Sequence, residues 1–208
     1  SSDEIGMPLR PEILQCTDNE DTGKWKKELG FDADKPLLMV FGGSQGAMKI
    51  NSALYESLGL LKEDIQLIHL TGQSDNSQYE KFVDDLSIKA RVETSTSAMA
   101  DYLRAADLTL CRAGASSLAE LVHFRKAALF VPLKIAAENH QFRNAQLAEK
   151  VEAAVILNED EFSAETLGVQ LKSWLLSPAE WHKKAQNMSK LSKENVSKRV
   201  VKSIFESC

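Results

Sequence analysis

Cysteine is scarce: Cys16, Cys111 and Cys208 are the only three, and no two stand at a metal-ligand or redox spacing. That speaks against a disulfide framework or a cysteine-built metal site, and it fits a reducing cytosol. Basic charge is not in excess, with 25 Lys and Arg against 30 Asp and Glu and a net charge of −5. A general nucleic-acid binder needs a basic face to replace counterions, so that class is excluded. The Lys-rich end, Lys183 to Lys202, alternates with apolar residues and reads as a solvated helix face, weak or without effect as a membrane anchor. No apolar run approaches the ~20 residues that span a bilayer, and no leader pattern opens the chain. The opening SSDEIGMPLRPEI has no initiator Met and reads as the middle of a longer protein.

What is there is a rhythm. Apolar runs of strand length, PLLMVF (36–41), IQLIHL (65–70), DLTLC (107–111) and AALFVP (127–132), alternate with helical patterns. ARVET (90–94) and AAVIL (153–157) are weaker strands of the same kind. Near-continuous apolar strands suit a parallel sheet covered on both faces. The spacing predicts helices behind the first glycine turn and at about 77–87, 97–105, 115–124, 139–150 and 163–176. The expected fold is α/β, a doubly wound parallel sheet of Rossmann type. Residues 1–20 read as a linker, 21–177 as the Rossmann-like domain and 178–208 as a terminal helix, opened by Ser177 as N-cap and Pro178 in the first turn.

In such sheets ligands sit at the carboxyl ends of the strands. The first strand runs into Gly42-Gly43-Ser44-Gln45-Gly46-Ala47 and then a helix. Glycines let a ligand approach the backbone, and the unpaired N–H groups at a helix start favour an anion by about 0.3–1 kcal/mol. A phosphate fits this turn, with the Ser44 hydroxyl as a further donor. It is neither a Walker loop, since no Gly-Lys-Ser/Thr is present, nor a G-x-G-x-x-G dinucleotide turn. A glycine turn serving geometry alone remains the other reading.

The second half repeats the design. LTLCRAGASSLAEL (108–121) is strand, small-residue turn and helix. Arg112 brings charge to the turn; Gly114, Ala115 and Ser116 keep it low. Glu120 falls inside the following helix, either as a solvated surface residue or as an acceptor for a ribose diol. After Pro132 a third loop delivers Asn139, His140, Gln141 and Asn144 to another helix start, where amides and an imidazole can address sugar hydroxyls. The three loops together suit a nucleoside diphosphate carrying a sugar.

These segments resemble the MurG family, bacterial N-acetylglucosaminyltransferases that add GlcNAc to lipid I in peptidoglycan synthesis. GGSQGA (42–47), RAGASSLAEL (112–121) and PLKIAAENHQFRNA (132–145) match that family's donor-half motifs in order, and GMPLRPEI (6–13) resembles its linker segment. Met7 stands where the family has Asn, and VETSTSAMADYL (92–103) departs from the family's Phe-Ile-Asp-Asp-Met. The resemblance implies one half of a GT-B glycosyltransferase, a hexosyltransferase that inverts without a metal and needs no cofactor; no Asp-x-Asp pair stands at the carboxyl end of a strand. It implies that Gly43, Ser44, Gln45 and Gly46 contact the diphosphate, and that Glu120 holds the ribose. Arg10, Thr96 and Met99 would lie by uracil, and Gln141, Asn144 and His140 by GlcNAc. UDP-GlcNAc would be the donor; lipid I would be met through a preceding domain that also supplies the general base, leaving this chain inactive alone. The setting implied is the cytoplasm, at the inner face of the membrane. Two other readings stay open: half of a UDP-GlcNAc 2-epimerase-like enzyme, or a stand-alone nucleotide-sugar subunit of a split transferase. His69, near a strand end, is a distant candidate base.

Overall fold

The computed structural model describes residues 13, 21–42, 47–61, 65–72, 76–133 and 139–192. Its strands are β1 (Leu37–Phe41), β2 (Gln66–Leu70), β3 (Ala90–Glu93), β4 (Leu108–Cys111), β5 (Ala128–Phe130) and β6 (Ala154–Ile156). They form one sheet in the order β3-β2-β1-β4-β5-β6, every neighbouring pair parallel. The helices are α1 (Thr22–Glu28), α2 (Met48–Leu60), α3 (Ser77–Asp85), α4 (Met99–Ala105), α5 (Ala115–His123), α6 (His140–Lys150), α7 (Ala164–Leu176) and α8 (Pro178–Met188). No described helix is long and apolar enough to cross a membrane.

The alternation of strand side chains decides which helix covers which face. Leu37, Met39 and Phe41 of β1 join a core with Ile68, Cys111, Ala128 and Phe130, which α1, α4, α5 and α6 cover. Leu38 and Val40 point the other way, with Leu67, Leu108, Leu110 and Leu129, under α2, α3, α7 and α8. Both faces are buried, so β1 and β5 are apolar at every position and β2 and β4 at most of theirs. Each fully buried Leu or Phe contributes roughly 1.5–3 kcal/mol of burial free energy.

The outer strand β3 is only half-buried, and its polar residues are handled by α4. Tyr102 donates to Glu93 Oε1 at 2.8 Å, and Arg91 reaches both the Tyr102 hydroxyl and the Leu29 carbonyl, at 3.3 and 3.1 Å. Paired charges on an edge strand blunt it against further strand addition. At the amino end of the sheet, Asp107 accepts from the Leu37 N–H at 2.8 Å and meets Lys26 Nζ at 2.6 Å, fixing α1 beneath the start of β1.

Three details differ from the sequence expectation. Helix α1, opened by Asp21 accepting from the Gly23 N–H, has too few residues to show a period and was not anticipated. Ser177 does occupy the N-cap of α8 with Pro178 behind it, yet its side chain makes no capping bond; the side-chain cap belongs to Ser163, in a capping box with Thr166. The helix expected over 178–208 is an α-helix to Met188, then a single 3-10 turn, Ser189–Leu191, with Ser192 extended; 193–208 lie outside the described residues. Met188 and Leu191 pack on the α5 face while Trp181 packs on the α7 face, so the chain crosses from one layer to the other and turns to do it.

His69 is not a base in waiting. It is fully buried on β2, its Nδ1 2.7 Å from the Tyr55 hydroxyl and its Nε2 3.0 Å from Asn51 Oδ1. Because Asn51 Nδ2 donates to the Thr71 carbonyl, its Oδ1 must accept; His69 therefore carries its proton on Nε2 and receives the Tyr55 hydroxyl on Nδ1. Burial holds its pKa down, from 6.5 to about 3. The neutral ring is thus favoured in the folded state, and the stabilisation is complete above about pH 6.5 and is lost as pH falls toward 3. Urea unfolding should show about 2 kcal/mol less stability at about pH 5 than at about pH 7.5 from this residue, read as the difference from a His69→Gln variant.

Candidate functional site

The strand register puts the carboxyl ends in one line. Leu70 pairs with Phe41, Phe41 with Cys111, Cys111 with Phe130, and Phe130 with Ile156. With neighbouring strands ~4.8 Å apart, the turns after β1, β4 and β5 leave the sheet within about 10 Å of one another. The strand order also reverses between β1 and β4. From there α2 goes to one face and α5 to the other, as their buried residues show. Diverging loops leave a crevice, the place where open α/β sheets take ligands.

On one side of the crevice stands the glycine turn. Gly43, Ser44, Gln45 and Gly46 lie outside the described residues, as does Arg10. The turn's two ends are described and are tight. A Cβ on Gly42 would sit 2.4 Å from the Ala47 Cβ and 2.8 Å from its backbone nitrogen, so only glycine lets α2 begin so close to the end of β1. Ala47 is the N-cap of α2 and makes no side-chain cap bond, leaving the first N–H groups of the helix without a cap from that residue. Met48, next to it, is 78% exposed.

On the other side is the turn after β4. Gly114 is the N-cap of α5 with φ −63° and ψ 153°, a conformation open to any residue, and a Cβ there would meet nothing nearer than Ser117 Oγ at 3.7 Å. The protein itself does not require glycine at this point. Ala115 and Ser116 follow in the first turn, Ser116 exposed. Glu120, one turn further on, is only 5% exposed, which settles one alternative: it is no solvated surface carboxylate. Together with burial, its charge pushes the fully buried Cys111 thiol up, which keeps that sulfur protonated and inert.

The third corner is bonded to the second. Asn144 Nδ2 donates to the Ala113 carbonyl at 3.0 Å, and Gln141 Oε1 accepts from the Leu133 N–H at 2.9 Å. Each amide therefore holds a loop with one end and keeps its other polar end, Asn144 Oδ1 or Gln141 Nε2, at the start of α6. Asn139 takes a left-handed conformation, φ 52°, to turn the chain into α6, and His140 is exposed at the first helical position. Thr96 and Met99 follow the outer strand β3, and Met99 packs against the core that holds Phe41, Cys111 and Leu118. The Thr96 hydroxyl accepts from the Ala98 N–H at 3.0 Å and so shapes the entry to α4, of which half-buried Met99 is the first residue.

Arg112 does not stand free in the crevice. Its Nη1 donates to the Val131 carbonyl at 2.9 Å and its Nη2 pairs with Glu159 at 2.6 Å.

Residues 37–202 match the glycosyltransferase family 28 C-terminal domain. The chain belongs to that family. It is 34% identical over 206 residues to the UDP-N-acetylglucosamine–N-acetylmuramyl-(pentapeptide) pyrophosphoryl-undecaprenol N-acetylglucosamine transferase of Thermoanaerobacter sp. (strain X514), a match covering 96% of this chain and 55% of the relative. It is 36% identical over 199 residues to the transferase of the same name in Geotalea daltonii, covering 94% and 52%. Among solved structures, MurG of Acinetobacter baumannii superposes with a TM-score of 0.73 at 28% identity, over 93% of this chain and 55% of that one. WaaG, a lipopolysaccharide glycosyltransferase, shares the fold at TM-score 0.65 and 17% identity. The chain therefore spans about half the length of the curated relatives it matches, and its sheet is the Rossmann-like layer of one half of a GT-B glycosyltransferase.

Two charged residues of this family 28 domain escaped the sequence reading. Lys49, in the first turn of α2, donates its ammonium to the Glu159 carbonyl, and Glu159 lies in the loop after β6. The signal was present: AAVIL-NED is a sixth strand leaving on the same rim as the others. It went unread because an acidic loop by itself looks like solvated surface.

The two glycines at the crevice separate geometry from ligand. Gly42→Ala should cost about 1–3 kcal/mol in urea unfolding through overpacking against Ala47. Gly114→Ala should stay within about 1 kcal/mol of the parent protein, since a weaker N-cap and a less flexible unfolded chain offset each other.

Proposed function

We propose that this chain is the donor-binding half of an inverting, metal-independent transferase that takes GlcNAc from UDP-GlcNAc to lipid I in peptidoglycan synthesis, acting at the cytoplasmic face of the membrane. The observation that carries the reading is the alignment of the turns after β1, β4 and β5 on one rim at the strand-order reversal, in a family 28 domain. On this reading residues 1–20 lead in from a preceding acceptor-binding domain, which supplies lipid I and the general base, and the chain alone does not turn over.

The roles follow from what each group can do. The diphosphate lies on the turn 43–46 against the start of α2, where unpaired N–H groups and the Ser44 hydroxyl donate. As the bond from anomeric carbon to phosphate oxygen breaks, negative charge grows on the leaving UDP. Helix starts aimed at that charge stabilise it without reorganising. The Arg112 cation is already paired with Glu159, so it contributes to the rim's order more than to the leaving group. The low turn at Gly114, where the protein leaves room for a Cβ, accommodates the nucleotide lying across it. Glu120 accepts from the ribose hydroxyls, a charge-assisted bond. Gln141 and Asn144 address the sugar with the amide ends their loops leave over, His140 beside them. Uracil lies toward Arg10, Thr96 and Met99.

Isothermal titration tests the reading directly. The chain should bind UDP and UDP-GlcNAc at millimolar or lower concentration, and 2′-deoxy-UDP more weakly. Glu120→Gln should weaken UDP by roughly 10- to 100-fold and abolish the preference for UDP over its 2′-deoxy form. No heat with either uridine ligand, or an undiminished preference in the variant, would remove the proposal or the role given to Glu120.

A further inference from the structure

The loop after β6 is drawn toward the crevice by bonds that nothing local requires. Strand β6 is the outermost on its side, separated from β4 by β5. Even so, Glu159 Oε1 lies 2.6 Å from Arg112 Nη2, with the two side chains 18% and 13% exposed. Arg112 simultaneously holds the Val131 carbonyl, and Lys49 reaches the Glu159 carbonyl from the first turn of α2. One residue is thereby tied to the helix behind the glycine turn and, through Arg112, to the ends of β4 and β5.

The same loop walls a cleft. A cavity of about 310 Å³ lies between residues 158–161 on one side and Pro132, Leu133, Asn139 and Phe142 on the other. Leu133 is the residue whose N–H Gln141 holds, so cleft and sugar-facing amides share a border.

We infer that Glu159 is a positioning residue of the donor site: its ion pair with Arg112 and its carbonyl bond from Lys49 hold the loop after β6 as the outer wall of the pocket for the hexose end of the nucleotide-sugar. This rests on the donor reading above and adds to it an element that reading does not contain. The wall stands beyond α6, on the side away from α4 and the uracil end. Its loss therefore falls on the sugar-bearing ligand and spares the bare nucleotide.

The test compares UDP-GlcNAc with UDP by titration in the wild-type chain, Glu159→Ala and Glu159→Gln. Glu159→Ala should weaken UDP-GlcNAc about tenfold while UDP changes less than about twofold. Glu159→Gln, which still accepts from Arg112, should restore most of the difference. A purely structural role would lower both affinities together along with the melting temperature; that result, or no change in the ratio of the two affinities, overturns the inference. Should Glu159→Ala not fold, Arg112→Lys gives the same ratio, with a selective loss expected and an unchanged ratio fatal. A wild-type chain that binds UDP but gives unchanged ratios sinks this inference alone; one that binds neither ligand sinks the donor reading and this with it.

Discussion

The approach of α2 to the end of β1 is the contact on which the rest of the rim depends. A helix that starts against the last residue of its strand, with no space for even one methyl group at Gly42, must turn sharply and present its first N–H groups at the sheet's edge. Because β1 is central and pairs on both sides, its end is in register with those of β2 and β4. The end of β1 is therefore held at the middle of a row of strand ends, where the two layers of helices part.

Charge along that row is arranged differently from a simple anion site. A cation at the β4 turn would attract a diphosphate, but Arg112 is bound to a carboxylate and a carbonyl. A half-buried pair of this kind costs desolvation, and its clearest effect is geometric, fixing which loops meet. On the donor reading proposed above, the anion is left to backbone dipoles at the helix starts, which need no counter-charge. Two buried groups nearby are kept neutral by the cost of desolvation: His69 is uncharged, and Cys111 is kept as a thiol.

On the donor reading, the amides of α6 belong to fold and site at once. Gln141 and Asn144 each bind a loop through one polar end, which removes their rotamer freedom before any ligand arrives. Preorganisation of that sort is available only where two loops already lie beside a helix start, as the β4–β5 pairing ensures.

The strands and the helices α2 to α7 were legible in the sequence because both faces of the sheet are buried, which writes the strands as apolar runs and the helices as periodic stripes. The three turns were legible because each breaks such a run with small or amide residues at a fixed place. Helix α1 was not, since seven residues give no period, nor was the end of α8, where a turn set by packing across two layers interrupts a continuous helical pattern. The burial of Glu120, the neutral tautomer of His69 and the union of Arg112 with Glu159 are likewise invisible to spacing. The last two join residues 14 or 18 and 47 positions apart, and only the stacking of strands in space brings such groups within bonding distance. Sequence alone thus determined the kinds of element and the chemistry offered at each turn. Tertiary structure decided which charges are already taken, because a charge's partner is chosen by distance in the fold and by the cost of leaving it dry and unpaired.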